Sequence, residues 1–192
     1  GRRCGKDDRK RIPPNLKNYI VLGENHAEQL CSGIYAVEDG PRGVPCAWTS
    51  GKFNCLLKTI GEEAVLHLEF ISGYKAAPDD TYNLQVILQD IETNEHFFAK
   101  SIDCLQTSFN TINLDIPATE APKILRLIIN SDTFCPKHLN MSEDGRLLGI
   151  QINQARLYNS VAEVPQTNED IPNAETQEEA ITTDTSEEPS AQ

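Results

Sequence analysis

Residues 131–157, SDTFCPKHLNMSEDGRLLGIQINQARL, join a polar loop to the beginning of a strand. Turn-forming residues such as Asp132, Pro136 and Asn140 dominate the first half of this stretch. From residue 148 to residue 153, apolar and polar residues alternate, which is the two-residue period of a strand. The stretch therefore predicts a loop that leads directly into a long closing strand.

The same alternation recurs along most of the chain, in short segments separated by turn residues. The clearest segment is 64–71, AVLHLEFI, where one face is apolar and the other presents His67 and Glu69, which we expect to point to solvent or into a groove. No amphipathic helix is evident, so the pattern predicts an all-β antiparallel β-sandwich of the jelly-roll or immunoglobulin-like kind. The predicted strands are 18–22, 31–38, 47–50, 52–58, 64–71, 82–89, 96–102, 111–116, 123–130 and 147–158.

Composition divides the 192 residues into three parts. Residues 1–15 are charged and end in two prolines, which predicts a flexible basic linker before the sandwich domain of residues 16–158. Residues 159–192 are predicted to form a disordered acidic tail, since they carry nine acidic residues and no lysine, arginine or aromatic residue. Without that tail, the net charge falls from -12 to -3, which does not favour a nucleic-acid surface.

Several classes of site lack support in the sequence. No apolar run approaches the roughly 20 residues that a membrane-spanning helix needs, so we expect no membrane insertion. The six cysteines are irregularly spaced and form no CxxC pair, which argues against zinc and favours reduced thiols in a cytoplasmic protein. Asp79, Asp80, Asp90 and Glu92 could hold Ca²⁺, but no EF-hand pattern is present and we predict no cofactor.

Two stretches resemble a known family. Residues 33–58, GIYAVEDGPRGVPCAWTSGKFNCLLK, resemble the glycine–aromatic–Glu strand, loop and Trp-Thr strand start of accessory β-sandwich domains in bacterial surface-polysaccharide machinery. Residues 134–157 are similar to that family's Phe-x-Pro loop, Asp-x-Arg-x-Leu-Gly step and final strand. Such domains are appended to glycosyltransferases or to the ATP-binding subunit of O-antigen ABC transporters.

The resemblance implies a non-catalytic carbohydrate-binding module that recognises an O-antigen-like polysaccharide during lipopolysaccharide biosynthesis or polysaccharide export. Its partners would be the polysaccharide, with an acidic terminal sugar as one option, and the parent glycosyltransferase or transporter; a homodimer is left open. The alternative is a structural domain that docks a biosynthetic enzyme. Catalysis is not expected, because no nucleophile, base and orienting group occur at a recognisable spacing.

Four residues are the candidate ligand-binding groups. Trp48 could stack on the apolar face of a sugar ring, or it could be a core tryptophan between the sheets. His138 could bond a sugar hydroxyl or an acidic group, or it could be an ordinary surface histidine. Asp144 and Arg146, two residues apart, could bind an acidic sugar.

The alternative for Arg146 is a structural brace. The resemblance pairs its motif with Glu38, and on a regular strand its side chain would face the same way as that of Leu148. We expect the brace, with a partly buried carboxylate as partner.

Overall fold

The computed structural model describes residues 12–59, 61, 63–159 and 164–165. Ten strands form in that part of the chain, and no α-helix does. They are β1 (Tyr19–Val21), β2 (Ser32–Ile34), β3 (Glu38–Asp39), β4 (Pro45–Lys58), β5 (Ala64–Ile71), β6 (Tyr82–Asp90), β7 (His96–Cys104), β8 (Phe109–Ile116), β9 (Ile124–Ser131) and β10 (Gln151–Tyr158). Most of the predicted linker and tail lies outside the described residues, so the predicted domain boundaries stay predictions.

All strand pairs are antiparallel, in the order β7-β6-β9-β4-β10-β5-β8, with β1 beside β10 and with β2 and β3 beside β4. The long strand β4 belongs to both layers, because its first part pairs with β10 and residues 52–58 pair with β9. The change of direction occurs at Gly51, whose φ of +91° lies in the region that favours glycine. The predicted antiparallel β-sandwich is therefore confirmed.

The two layers enclose one apolar core, built from alternate residues of each strand. Leu66 and Leu68 of β5 face Leu84, Leu88 and Leu127 from the opposite layer, and all five are fully buried. At one edge, Asn18 and Leu157 exchange two hydrogen bonds, from Asn18 Nδ2 to the Leu157 carbonyl and from the Leu157 amide to the Asn18 carbonyl. The start and the end of the described sandwich therefore lie side by side.

Three of the predicted strand boundaries are wrong. The predicted strands 47–50 and 52–58 are one strand, β4, because Gly51 bends the chain without interrupting it. The predicted strand 31–38 contains two short strands, and residues 147–150 precede β10 instead of belonging to it. Residues 149 and 150 are nevertheless bonded to β4, since the Gly149 amide donates to the Thr49 carbonyl and the Thr49 amide donates to the Ile150 carbonyl, each over 2.8 Å.

The five described cysteines form no disulfide, and Cys4 lies outside the described residues. Cys55 is fully buried on the inner face of β4, and burial raises the pKa of its thiol well above the ordinary value. Among the residues that the structure describes, no helix is long and apolar enough to cross a membrane.

Candidate functional site

The outer surface of β1, β10, β5 and β8 carries a concentration of polar and aromatic side chains, which we call the polar face. The strand register places Arg156 of β10 opposite Tyr19 of β1 and His67 of β5, and His67 opposite Asn113 of β8. Residues directly opposite each other in an antiparallel sheet share a face. The polar face consists of Tyr19, Val21, Val65, His67, Glu69, Thr111, Asn113, Asp115, Gln154, Arg156 and Tyr158.

His67 lies at the centre of the polar face and has no exposed surface, although it is on the outside of its sheet. Its Nδ1 is 2.6 Å from Asn113 Oδ1, and its Nε2 is 3.1 Å from Glu69 Oε1. The Asn113 amide is oriented by a second hydrogen bond, which its Nδ2 donates to the Pro165 carbonyl over 2.8 Å. Because both partner atoms are acceptors, the geometry fits an imidazolium that donates from both ring nitrogens.

The directions in which the pKa values of His67 and Glu69 shift agree with a protonated His67 ring. Burial alone lowers the pKa of His67, but the hydrogen bonds to Glu69 and Asn113 outweigh it, so the net pKa is raised. The hydrogen bond from His67 is the largest cause of the lowered pKa of Glu69. With both of its nitrogens donating, the protonated ring is not available as a general base or as a metal ligand.

The prediction that His67 points to solvent or into a groove is wrong. Larger side chains from the neighbouring strand cover it, since the Tyr158 ring packs edge-on at 5.9 Å and Arg156 lies directly opposite in the register. Glu69 keeps 21% of its side chain exposed, so the outward direction predicted for it is correct.

Arg156 lies between two tyrosines of the polar face. Its guanidinium carbon is 4.3 Å from the centre of the Tyr19 ring and 5.8 Å from that of Tyr158. Its Nε is buried and has no hydrogen-bond partner. Among the described residues, no carboxylate forms an ion pair with it. The rings stabilise the cation through their faces, and Nε remains without an acceptor.

The two ends of the polar face differ. At one end the 40–44 loop packs over the sheet, with the Arg42 guanidinium 4.4 Å above the Phe109 ring. At the other end an open groove of about 420 Å³ is bordered by Val65, Asp115 and Tyr158. The face is thus closed beside Arg42 and accessible beside Tyr158.

Trp48, a predicted ligand-binding residue, is only half-exposed in β4 and packs against the core. The Phe134 ring meets it edge-on, with centroids 5.5 Å apart. Its carbonyl accepts a hydrogen bond from the Tyr35 amide at 2.9 Å. This position matches the core alternative considered for Trp48.

Asp144 and Arg146 contact each other at the surface. Arg146 Nε lies 3.0 and 3.1 Å from the two Asp144 oxygens, and Nη2 lies 2.7 Å from Oδ2. The guanidinium also lies 4.7 Å from the centre of the Tyr35 ring. The side chains of Asp144 and Arg146 are 27% and 45% exposed. Arg146 therefore pairs with a carboxylate of its own loop.

Two details predicted for Arg146 are wrong. Its partner is Asp144 and not Glu38, whose carboxylate accepts a hydrogen bond from Gln151 Nε2 at 3.2 Å. Its side chain does not face inward with the buried Leu148, because regular alternation begins only with β10.

His138 is exposed in the same loop, and the structure shows no contact of its side chain with the other three predicted residues. The predicted residues thus form one contacting pair, Asp144 with Arg146, and two separate positions.

An Arg146→Ala variant is expected to melt within about 3 °C of the wild type, because exposed ion pairs contribute little to stability. Differential scanning calorimetry at neutral pH measures this. A much larger drop would show that the loop depends on the forked pair, and Arg126→Ala on β9, another exposed arginine, is the control.

Asp90, one of the acidic residues considered for Ca²⁺, accepts hydrogen bonds from other groups of the protein. Lys123 Nζ lies 2.8 Å from its Oδ2, and the Glu92 amide donates to its Oδ1. The hydrogen bond from Lys123 is the largest cause of its lowered pKa. Within the described ranges, no group of three or more His, Cys, Asp or Glu side chains is arranged to hold a metal ion.

No family model and no curated protein matches this chain. Solved structures with a similar fold include the N-terminal CBM22-1–GH10 part of xylanase 10B from Clostridium thermocellum complexed with xylohexaose, at 14% identity over 80% of this chain and 28% of that one, with a TM-score of 0.46. CsCBM6-3 from Clostridium stercorarium, in complex with cellobiose, is 8% identical over 77% of this chain and 99% of that one, with a TM-score of 0.42. A family 35 carbohydrate-binding module from Clostridium thermocellum is 7% identical over 74% of this chain and 98% of that one, with a TM-score of 0.42.

Proposed function

We propose that this chain is a non-catalytic carbohydrate-binding module and that the polar face is its binding site. The observation that supports this most directly is the arrangement around His67, where fixed polar groups from three adjacent strands lie beside the Tyr19 and Tyr158 rings. Sugars combine an apolar face of C–H groups with hydroxyls around the ring. Aromatic rings match the apolar face, and polar side chains bond the hydroxyls.

The polar groups are held in place before any ligand arrives. Asn113 and Glu69 are both bonded to the buried His67 ring, so neither side chain needs to be ordered on binding. Groups fixed in advance lose less conformational entropy when a ligand binds. The strands of the face lie about 4.8 Å apart, so the four strands span about 15 Å, which suits a short oligosaccharide.

The same hydrogen bonds argue against catalysis at this site. A general base needs a free acceptor, whereas both nitrogens of His67 are engaged as donors. The pKa of Glu69 is lowered, chiefly by the hydrogen bond from His67, so this carboxyl is poorly suited to act as a general acid near neutral pH. Binding is the function that these groups can perform.

The proposed setting is the cytoplasmic assembly or export of a bacterial surface polysaccharide of the O-antigen type. Its support is the sequence resemblance of residues 33–58 and 134–157 to accessory domains of glycosyltransferases and O-antigen ABC transporters. A module of this kind would hold the polysaccharide near its parent enzyme or transporter.

The test is a glycan array followed by titration calorimetry with the strongest hit, using the full chain. We expect Tyr158→Ala to lose at least about tenfold in affinity, because a stacking surface next to the open groove is removed. Tyr74→Ala is the matched control, since Tyr74 is an exposed tyrosine that packs on Phe134 away from the polar face.

Circular dichroism and melting curves must show that both tyrosine variants are folded. An array without hits, or equal losses in the two variants, would contradict the proposed function or the proposed site.

A further inference from the structure

We propose that the carbohydrate bound by the polar face carries carboxylate groups, as uronic acids do, and that Arg156 is the residue that binds them. This inference rests on the proposed function and adds the chemical class of the ligand. It assigns a binding role to a residue that the sequence patterns did not single out.

Arg156 has unused hydrogen-bonding capacity at its Nε. A guanidinium offers five N–H donors in one plane. The Nε of Arg156 is buried and has no hydrogen-bond partner. A buried donor without an acceptor is unfavourable, so an acceptor supplied by a ligand would be stabilised at this position.

Two other arginines of the domain use their N–H groups differently. Arg146 directs Nε and Nη2 to Asp144, and Arg126 directs Nη1 to Asn54 Oδ1 at 3.4 Å. Arg156 lies over the faces of Tyr19 and Tyr158, as Arg42 lies over Phe109, but only Arg156 has a buried Nε without a partner among the described residues. An arginine held by aromatic rings keeps its position and orientation while its N–H edge stays available.

The charged groups around Arg156 are unevenly placed. His67, directly opposite in the register, is bonded to the Glu69 carboxylate. Asp115 is the other acidic side chain of the polar face; it lies opposite Val65 and borders the open groove together with Glu63. The residue directly opposite the guanidinium is therefore a histidine, and the two remaining carboxylates lie at the groove beside Tyr158.

The planar shape of a carboxylate matches that of the guanidinium. A carboxylate is planar and accepts two parallel N–H bonds from one guanidinium, which gives directionality as well as attraction. In a uronic acid the carboxylate projects from the edge of the sugar ring. A ring stacked on Tyr158 would therefore direct that group along the face toward Arg156, which lies next to this tyrosine.

The experiment compares acidic oligosaccharides with their own neutral forms. Tetrasaccharides of polygalacturonate, glucuronan and mannuronate-rich alginate are titrated against the full chain, each beside its carboxyl-reduced counterpart. We expect at least one acidic form to bind at least about tenfold more tightly than its reduced form. Its affinity should fall when sodium chloride is raised from about 50 to about 500 mM, because salt screens exposed charges.

Two variants assign the effect to a residue. Arg156→Gln should reduce the ratio of the affinities for the acidic and the neutral form to about one. Arg126→Gln, on the outer face of the opposite layer, should leave the preference unchanged. Melting curves of both variants show whether the fold is intact, and Arg156→Lys, which keeps the charge but not the planar fork, separates specific recognition from attraction alone.

The outcomes distinguish the two proposals. If reduced and acidic forms bind equally well, the carboxylate inference is wrong and carbohydrate binding stands. If the acidic preference survives in Arg156→Gln, the assignment to Arg156 is wrong. If polyglutamate competes as well as the best uronic-acid tetrasaccharide, only general charge attraction is present. If no acidic or neutral oligosaccharide binds, including cello- and xylo-oligosaccharides, the proposed function itself fails.

Discussion

A His67→Leu variant is expected to lose about 3 kcal/mol of unfolding free energy near pH 6. The substitution removes a buried cation, leaves the Asn113 amide oxygen without its donor, and leaves Glu69 with a hydrogen bond from Gln154 but none from position 67. We place the loss at the lower end of the range for broken buried pairs, because Glu69 keeps 21% of its side chain in contact with solvent. Urea unfolding followed by circular dichroism measures the difference.

The loss should depend on pH in a defined direction. Since the pKa of His67 is raised above 6.5 in the folded state, its contribution is fully present below pH 6.5 and is lost as the pH rises through the folded-state value. The pKa of Glu69 is lowered below 4.5, so its contribution is present above pH 4.5 and is lost as the pH falls through its folded-state value. Wild type and variant should therefore differ most between about pH 4.5 and 6.5 and less near pH 9.

His138→Leu is the matched control, because His138 is an exposed histidine and its substitution should change stability little. A difference between wild type and His67→Leu that stays constant from pH 5 to pH 9 would show that His67 is neutral in the folded protein. The imidazolium assignment would then be wrong.

A Gly33→Ala variant should be destabilised still more, by about 4 kcal/mol or more. Gly33 has a φ of +77°, and a Cβ at this position would lie 1.8 Å from the backbone carbonyl oxygen of Lys52. Neither atom belongs to a flexible side chain, so β2 would have to move away from β4. We expect low yield of soluble protein and a large drop in the melting temperature.

Gly43→Ala separates backbone strain from the clash. Gly43 has a similar φ of +70°, but no atom lies within 4 Å of the place where its Cβ would be. This variant should lose only about 1–2 kcal/mol, the cost of a left-handed conformation for alanine. If the two variants were equally stable, the close approach of β2 and β4 at Gly33 would not be the cause.

The sequence predicts the sandwich well, because each strand is a local pattern. Segment 64–71 shows this clearly, since its apolar positions fill the core as their two-residue period requires. The predicted strand at 31–38 failed for a local reason that the period does not contain. Gly33 lies at a close approach to β4 where the register is irregular, β2 ends at Ile34, and regular pairing with β4 resumes only in β3.

The candidate site was less predictable, because its parts come from distant segments. His67 and Asn113 are 46 residues apart, and their contact depends on the register between β5 and β8. A single sequence does not specify which strands are neighbours or how they are aligned. The ion pair of Asp144 with Arg146 was missed although the two are only two residues apart, because the resemblance indicated Glu38 as the partner of Arg146. The signal missed was the period within β10, which places Arg156 and Tyr158 on one face.

Because the two ends of the sandwich are adjacent, the domain is suited to insertion into other proteins and to circular permutation. Asn18 and Leu157 are joined by two hydrogen bonds, so the folded unit begins and ends at almost the same point in space. Such a unit can be inserted into a surface loop of an unrelated protein without separating the two sides of that loop. It can also be circularly permuted by a short peptide that links the two ends, with new termini opened in a loop of the opposite layer. Both rearrangements would retain the ten-stranded arrangement, and the polar face would be complete if the transferred segment extends to Pro165, whose carbonyl bonds Asn113.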